Sequence, residues 1–395
     1  MHWREWQKNS LLVLGSVGTV LLLGEAAARV FWQPGEYQPV FRADPVYGWT
    51  LAAGTSLHSV DTERQLDYTI QVNSLGLRDP ERPRDKPAGV RRILLLGDSM
   101  AFGTGVAVGE RCGDVLDERL GPGVEVFNAA VGGWGTDQEF LYLCREGFAL
   151  QPDVVVLAVC LANDVVNNML SRELFGSAPK PKFVLQAEEL VYVPPAPRQP
   201  PSTSIKLKRF LKRSRLLRYV VHQERVLESR LRHPRNRMEE ALYFPENLES
   251  EESHWSVFRS SYSERFEAAF RVTEALIAAT HDSCRVRRIP FVLFAFPQKI
   301  EVDHETRQRE LAHFGFDSAW FDLQAPYQRI QRLADRLGCP FVHPLHEFQE
   351  VHPTQPLFFA RDGHPNAAGH ALAAASLQPH VAQALRAESV ESSRR

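Results

Sequence analysis

Short runs in which every position is apolar punctuate this chain from residue 92 onward. Ile93-Leu-Leu-Leu-Gly97, directly after Arg92, and Val154 to Val159 are the clearest, with Phe291 to Phe296 a third. Runs of this length without a polar alternate suit strands covered on both faces, as in a parallel sheet. Between them lie stretches with helical spacing: Cys112 to Leu120, Asp137 to Phe148, Tyr262 to Arg287, Tyr327 to Leu337 and Asn366 to Ala387. Val124 to Phe127 and Pro340 to His343 read as further short strands. Alternating strands and helices of these lengths predict an α/β domain with a parallel sheet and helices on both faces.

Two other regions depart from that rhythm. At the amino terminus Leu11 to Gly24 is wholly apolar or small, and a span from about Ser10 to Trp32 is long enough to cross a bilayer. Trp3, Trp6 and Trp32 suit the membrane interface, and Glu25 and Arg29 crowd the small residues Ala26 to Ala28 where a signal peptidase would cut. A retained anchor is the preferred reading and a cleaved signal segment the competitor; either places the body of the protein outside the cytoplasm. Residues 33–88 read as a short strand-rich segment, Gln65 to Val72 alternating like a half-buried strand, and Asp79 to Pro87 as a proline- and charge-rich linker. The second departure is an insert at 166–253, with a proline-rich middle (Val193 to Pro201), a basic stretch from Ile205 to Arg237 and an acidic run from Glu239 to Glu252. The basic stretch reads either as a membrane- or polymer-facing amphipathic helix or as a solvated helix paired with the acidic run. The domain plan is therefore an anchor at 1–32, the segment at 33–88, a catalytic domain at 89–388 that carries the insert, and a disordered tail at 389–395.

Composition adds mostly exclusions. A hydrophobic fraction of 44% with 24% charged residues is that of a globular protein, and a net charge of −2 argues against a nucleic-acid partner. The 5 cysteines are scattered without a Cys-x-x-Cys pair, which suits small buried residues better than a disulfide framework or a zinc site.

Candidate chemistry sits where the predicted strands end. Gly97-Asp98-Ser99 follows the first, placing a hydroxyl at the edge where parallel sheets bind ligands, ahead of helix N–H groups suited to an oxyanion. Asn128-Ala-Ala-Val-Gly-Gly133 follows the second, and Leu161-Ala-Asn163-Asp164 the third. Glycine lets backbone approach a ligand closely, and asparagine carries an amide donor. Asp362-Gly-His364-Pro-Asn366 opens the last helix; an imidazole is the usual base for a serine and a carboxylate orients it. Each motif alone is an ordinary turn or cap. Together, each after a strand, they point to a nucleophilic serine site.

On those motifs the chain resembles the SGNH hydrolase family, the GDSL-type lipases and esterases, in its bacterial membrane-anchored subgroup. The resemblance spans about Val90 to Leu385 and implies a three-layer α/β/α flavodoxin-like sheet. It further implies Ser99 as nucleophile, His364 as base, Asp362 as its orienting acid, and an oxyanion hole made of the Ser99 N–H, the Gly133 N–H and the Asn163 side chain. Met100 stands where the family name has leucine. The block Asn73-Ser-Leu-Gly-Leu-Arg78-Asp is similar to one that precedes this domain in membrane-anchored relatives, some of which accompany polysaccharide O-acetylation.

Rival motifs fail on spacing. Gly103-Thr-Gly105-Val-Ala-Val-Gly109 is not Gly-x-Gly-x-x-Gly, no Gly-Lys-Ser/Thr occurs, and Ala101 takes the place of the last glycine in an α/β-hydrolase elbow. His254, His281 and His304 show no metal-ligand spacing. The expected activity is an extracytoplasmic serine esterase on O-acyl esters of sugars, lipids or small alcohols, without metal or organic cofactor. Its expected partners are an O-acylated carbohydrate or lipid substrate, the membrane through the N-terminal helix, and a membrane-bound acyltransferase. The alternatives are a polysaccharide O-acetyltransferase with the same triad, and a non-catalytic assembly module working through the basic insert. Phe102 and Trp134 read equally well as an acyl pocket or as core.

Overall fold

The computed structural model describes residues 2–31, 40–61, 64–173, 178–196, 214–217, 219–220 and 254–393. The chain divides into two compact units, Met1–Gln38 with Arg198–Arg237, and Pro39–Pro197 with Met238–Arg395.

In the first unit a helix, α1, runs from His2 to Phe31. Its stretch Asn9–Phe31, 23 residues with a mean hydropathy of 1.9 and 6% buried, is long and apolar enough to cross a membrane. Near its end Glu25 pairs with Arg29 and accepts hydrogen bonds from the Ser214 hydroxyl and from the Arg215 and Leu216 N–H groups. Apart from residues 214–217 and 219–220, the basic stretch 205–237 lies outside the described residues, as do the proline run beyond residue 196 and the acidic run at 239–252.

The second unit begins with two antiparallel hairpins. The first pairs β1 (Phe41–Asp44) with β2 (Gly48–Leu51), the second β3 (Ser56–Asp61) with β4 (Leu66–Gln71). The main sheet follows: β5 (Arg91–Gly97), a short α2 (Ser99–Phe102), α3 (Cys112–Leu120), β6 (Val124–Asn128), α4 (Thr136–Arg145), β7 (Val154–Val159) and α5 (Leu161–Met169). A third hairpin, β8 (Lys182–Gln186) with β9 (Glu189–Val193), precedes α6 (Glu264–Val286), β10 (Phe291–Ala295), α7 (Lys299–Val302), α8 (His304–Phe314), α9 (Ala325–Leu337), β11 (Phe341–Val342), α10 (Leu345–Val351) and α11 (Ala367–Ser393).

The five-stranded sheet has the order β11-β10-β7-β5-β6 and every pair in it is parallel. In the order of the chain that is 2-1-3-4-5, the flavodoxin-like doubly wound arrangement. It is the fold class expected from the sequence. β7 is buried at every position, as is β5 after its first residue, because α3 and α11 pack on one face and α4, α5 and α6 on the other. The order reverses between β5 and β7, so the crevice beyond their carboxyl ends is the place where such a sheet takes a ligand.

Four sequence readings change. Residues 79–87 are not a free linker: Arg92 donates to the carbonyls of Pro83 and Arg84, and Asp79 is buried against Arg111. The start of the insert belongs to the body, since α5 runs to Met169 and Lys180 forms a fully buried ion pair with Asp137. The last helix continues to Ser393, into the stretch read as a disordered tail. All the cysteines are free, and Cys144 is exposed rather than buried.

Candidate active site

Ser99 owes its position to a close approach that only glycine permits. A Cβ on Gly97 would stand 2.7 Å from the Ala101 Cβ and 3.0 Å from the Ala158 carbonyl. The bare backbone lets the chain turn at once from β5 into α2. Asp98 caps that turn, its Oδ1 accepting the Met100 N–H at 2.8 Å. Ser99 thus opens α2 at the carboxyl edge of the sheet.

His364 and Asp362 arrive on the loop before α11. The loop is held shut by an isolated bridge between Phe358 and Pro365 and by Asn366, whose amide donates to the carbonyls of Pro356 and Phe358. His364 Nε2 lies 2.9 Å from Ser99 Oγ, and its Nδ1 meets Asp362 Oδ1 in a short hydrogen bond. The same oxygen accepts the His364 backbone N–H at 2.8 Å, which fixes the turn. Asp362 is fully buried and His364 nearly so. Burial pushes the Asp362 carboxyl up, but His364, its hydrogen bonds and Arg64 outweigh it and hold the pKa at about 2. The carboxylate is therefore ionised throughout the range in which an imidazole can act as a base.

Gly133 sits in the left-handed region at φ +80°, where an L side chain is strained. Among the described residues neither its N–H nor that of Ser99 meets an acceptor. Asn163 comes from the first turn of α5, beyond β7. Its amide donates to Asp98 Oδ2 at 3.0 Å, across the reversal point of the sheet. Because Asp98 already uses its other oxygen on Met100, both face N–H donors, and the NH₂ end of Asn163 must point to Asp98. An amide nitrogen has two hydrogens, and the bond to Asp98 uses one of them. The structure thus brings all five sequence-predicted residues, Ser99, Gly133, Asn163, Asp362 and His364, to one sheet edge.

No family model and no curated protein matches the sequence. Among solved structures the chain is similar to TesA, at 11% identity and TM-score 0.39 over 74% of this chain and 99% of that one. It is similar also to the acetyl xylan esterase AlAXEase, at 13% identity and TM-score 0.40 over 73% and 99%. A GDSL-like lipase from Bacteroides thetaiotaomicron aligns at 12% identity and TM-score 0.34 over 75% and 88%. At this distance the functional reading rests on the site's own geometry.

Residues that sequence reasoning missed brace the site from outside the main sheet. Trp49 of β2 donates its indole N–H to the Gly132 carbonyl and accepts the Trp134 indole N–H on its own carbonyl, locking the glycine loop. Arg78, fully buried, donates to the carbonyls of Phe102, Gly103 and Val106 in the loop after Ser99. Lys299 of α7 donates to the carbonyls of Phe359 and Ala360 in the histidine loop. Arg78 lies in the block Asn73 to Asp79, which was the one signal available; single Trp and Lys residues carry none. Phe102 and Trp134 are both buried in the core.

Asp98, Asp137, Glu139 and Asp164 form a set of buried acids that act on one another. Asp164 accepts the Cys160 N–H, and Glu139 of α4 is fully buried with neither carboxylate oxygen partnered among the described residues. Burial first, then the charges of Asp164 and Asp98, push Glu139 well above the usual carboxylate range. Among the described residues no group of ligands suited to a metal ion is found.

Proposed function

We propose that this chain is a serine esterase acting on O-acyl esters outside the cytoplasm, tethered by α1. The observation that carries the reading is the relay from Ser99 Oγ to His364 Nε2 at 2.9 Å and on to a buried, ionised Asp362.

Ser99 Oγ attacks the ester carbonyl carbon while His364 Nε2 takes its proton. The carbonyl π electrons move to oxygen, and the Ser99 and Gly133 N–H groups with the free amide hydrogen of Asn163 receive that charge. Collapse of the tetrahedral intermediate breaks the bond to the alcohol oxygen, which leaves with the proton from His364. Water, deprotonated by His364, then attacks the acyl carbon; the bond to Ser99 Oγ breaks, that oxygen takes the proton back from His364, and the acid departs. Asp362 stays ionised throughout and fixes the tautomer with the proton on Nδ1.

The extracytoplasmic placement is supported by the length and apolarity of Asn9–Phe31 and by its exposure within the first unit. A fusion of a periplasm-dependent reporter at the carboxyl terminus tests it; a stably expressed fusion whose reporter is inactive contradicts it.

The activity is tested by hydrolysis of p-nitrophenyl acetate by the full chain in detergent, beside Ser99→Ala, with and without an oligosaccharide acceptor. Turnover lost in Ser99→Ala supports the reading. Acyl transfer to the sugar in preference to water moves it to an O-acyltransferase, and no turnover from folded protein removes it.

A further inference from the structure

The residues so far placed in the triad come from the edge of the main sheet. A further charged group reaches that edge from the β3–β4 hairpin, which lies outside it. The pairing of Asp61 with Leu66 puts Arg64 at the hairpin's end, where its N–H donates to Asp61 Oδ1 at 3.0 Å. Its Nε is 3.7 Å from Asp362 Oδ2 and 3.8 Å from Asp61 Oδ2. Oδ2 is the Asp362 oxygen that His364 does not use, since both the ring and the backbone N–H of His364 go to Oδ1. The hairpin end is not a loose neighbour. A Cβ on Gly105, in the loop after α2, would stand 2.6 Å from Phe359 Cε2 and 2.9 Å from Leu66 Cδ2. Hairpin, nucleophile loop and histidine loop therefore meet at one point, and Arg64 is carried on the member that contributes nothing else to the triad.

We propose that Arg64 is a positioning residue of this site, holding the outer oxygen of Asp362 so that the inner one stays aligned on His364, and setting the pH range over which His364 serves as base. This rests on the esterase reading above. The physical argument is competition for one carboxylate. Asp362 stabilises an imidazolium at His364, and a guanidinium at its other oxygen draws off part of that negative field. Removing the guanidinium leaves that field undivided, so an Arg64 variant is expected to lose activity on the acid side sooner than the native chain. Arg64 is 38% exposed at its side chain while Asp362 is buried, so solvent screens the effect without abolishing it.

Other charged or titratable groups also face the pair. On the hairpin these are Asp61 and Tyr68, the latter within electrostatic reach of Asp362. From α7, Lys299 acts on Asp362 while its ammonium is held by Phe359 and Ala360. From the nucleophile turn Asp98 faces His364, and from α11 His370 does so, its buried ring kept neutral. Arg64 is the one of these that touches Asp362 Oδ2 from the hairpin.

The test is the pH profile of kcat/KM for p-nitrophenyl acetate, measured on the full chain and on Arg64→Gln, Arg64→Lys and Ser99→Ala. In Arg64→Gln the acid limb is expected to move to higher pH by about half a unit to one unit. Its plateau kcat should fall about tenfold with KM little changed, as for an interaction made in the transition state. Arg64→Lys, which keeps the charge, should return the limb most of the way. A merely structural role lowers the plateau through lost folded protein and leaves the limb where it was. An Arg64→Gln profile that overlays the wild-type one, or a limb that moves equally in Arg64→Lys, overturns the proposal. Hydrolysis that survives in Ser99→Ala overturns the esterase reading instead, and the two failures are separate results of the same plate.

Discussion

Replacing Arg78 by methionine should both loosen the fold and disable the nucleophile. The side chain is fully buried, stacked between the rings of Tyr68 and Phe102 at 5.1 and 4.9 Å. It donates to Phe102 O at 2.8 Å, Gly103 O at 2.7 Å, Val106 O at 2.6 Å and Thr69 O at 3.0 Å. Methionine fills much of the stem's volume but offers none of these donors. Gly103 O keeps the Val106 N–H at 3.2 Å, so the loss falls on the other three carbonyls. A buried acceptor left unsatisfied costs about 1–3 kcal/mol, and the two ring contacts add about 1 kcal/mol. Against this, burial and then the charge of Arg111 bring the Arg78 pKa down to about 10, a penalty of about 3 kcal/mol on its charged form that methionine escapes. The balance is a destabilisation of about 4 kcal/mol, or a Tm lower by about 8 °C for a domain of this size. Three of the four carbonyls belong to the loop that follows Ser99 directly, and a shift of about 1 Å there costs about 10²-fold in turnover. Thermal unfolding by circular dichroism and p-nitrophenyl acetate kinetics on the same samples measure the two effects. Arg78→Lys, with its donors on one compact head, should fall between. A methionine variant within about 2 °C of wild type and equally active would refute the account of this segment as a brace.

Other outcomes follow from the same geometry. Asn163→Ala should lower kcat by about 10²-fold with KM nearly unchanged, since the amide acts on the developing oxyanion; an equal loss in KM alone would place it in ground-state binding instead. Glu139→Gln should raise Tm by a few degrees at pH 8 and by nothing near pH 4. Burial, with Asp164 and Asp98 beside it, raises the carboxyl's folded pKa. Its stabilising protonation is therefore complete below the unfolded value and lost as pH rises above it. A glutamine variant less stable than wild type at pH 8 contradicts that sign.

Much of the plan was legible along the chain, and for a physical reason. A strand covered on both faces has no solvent side, so Ile93 to Leu96 and Val154 to Val159 are apolar at every position and announce a parallel sheet. In such a sheet the carboxyl ends of the strands share one edge, so motifs that each follow a strand are gathered by topology alone. Ser99, Gly133 and Asn163 could be grouped without knowing any distance, and His364 and Asp362 are neighbours within one turn. The same logic fails for the braces. Trp49 with Gly132, Arg78 with Phe102, Arg64 with Asp362 and Lys299 with Phe359 are pairs distant in sequence, and one residue of each belongs to a segment with no periodic signal of its own. Residues 79–87 looked like a linker because proline and charge are what exposed chain contains; that their carbonyls serve Arg92 is a fact of packing.

Glu139 marks the boundary most sharply. A glutamate in an amphipathic helix reads as solvent-facing, yet α4 turns it fully inward toward Asp164 and Asp98. Hydropathy reports how a residue partitions on its own, and so it could settle which segments are strands, which helix suits a bilayer and where a hydroxyl meets a sheet edge. It carries no record of which buried groups lie against each other. That depends on how the hairpins before β5 fold back over the loops after β5, β6 and β11, and only the packed chain brings those surfaces together.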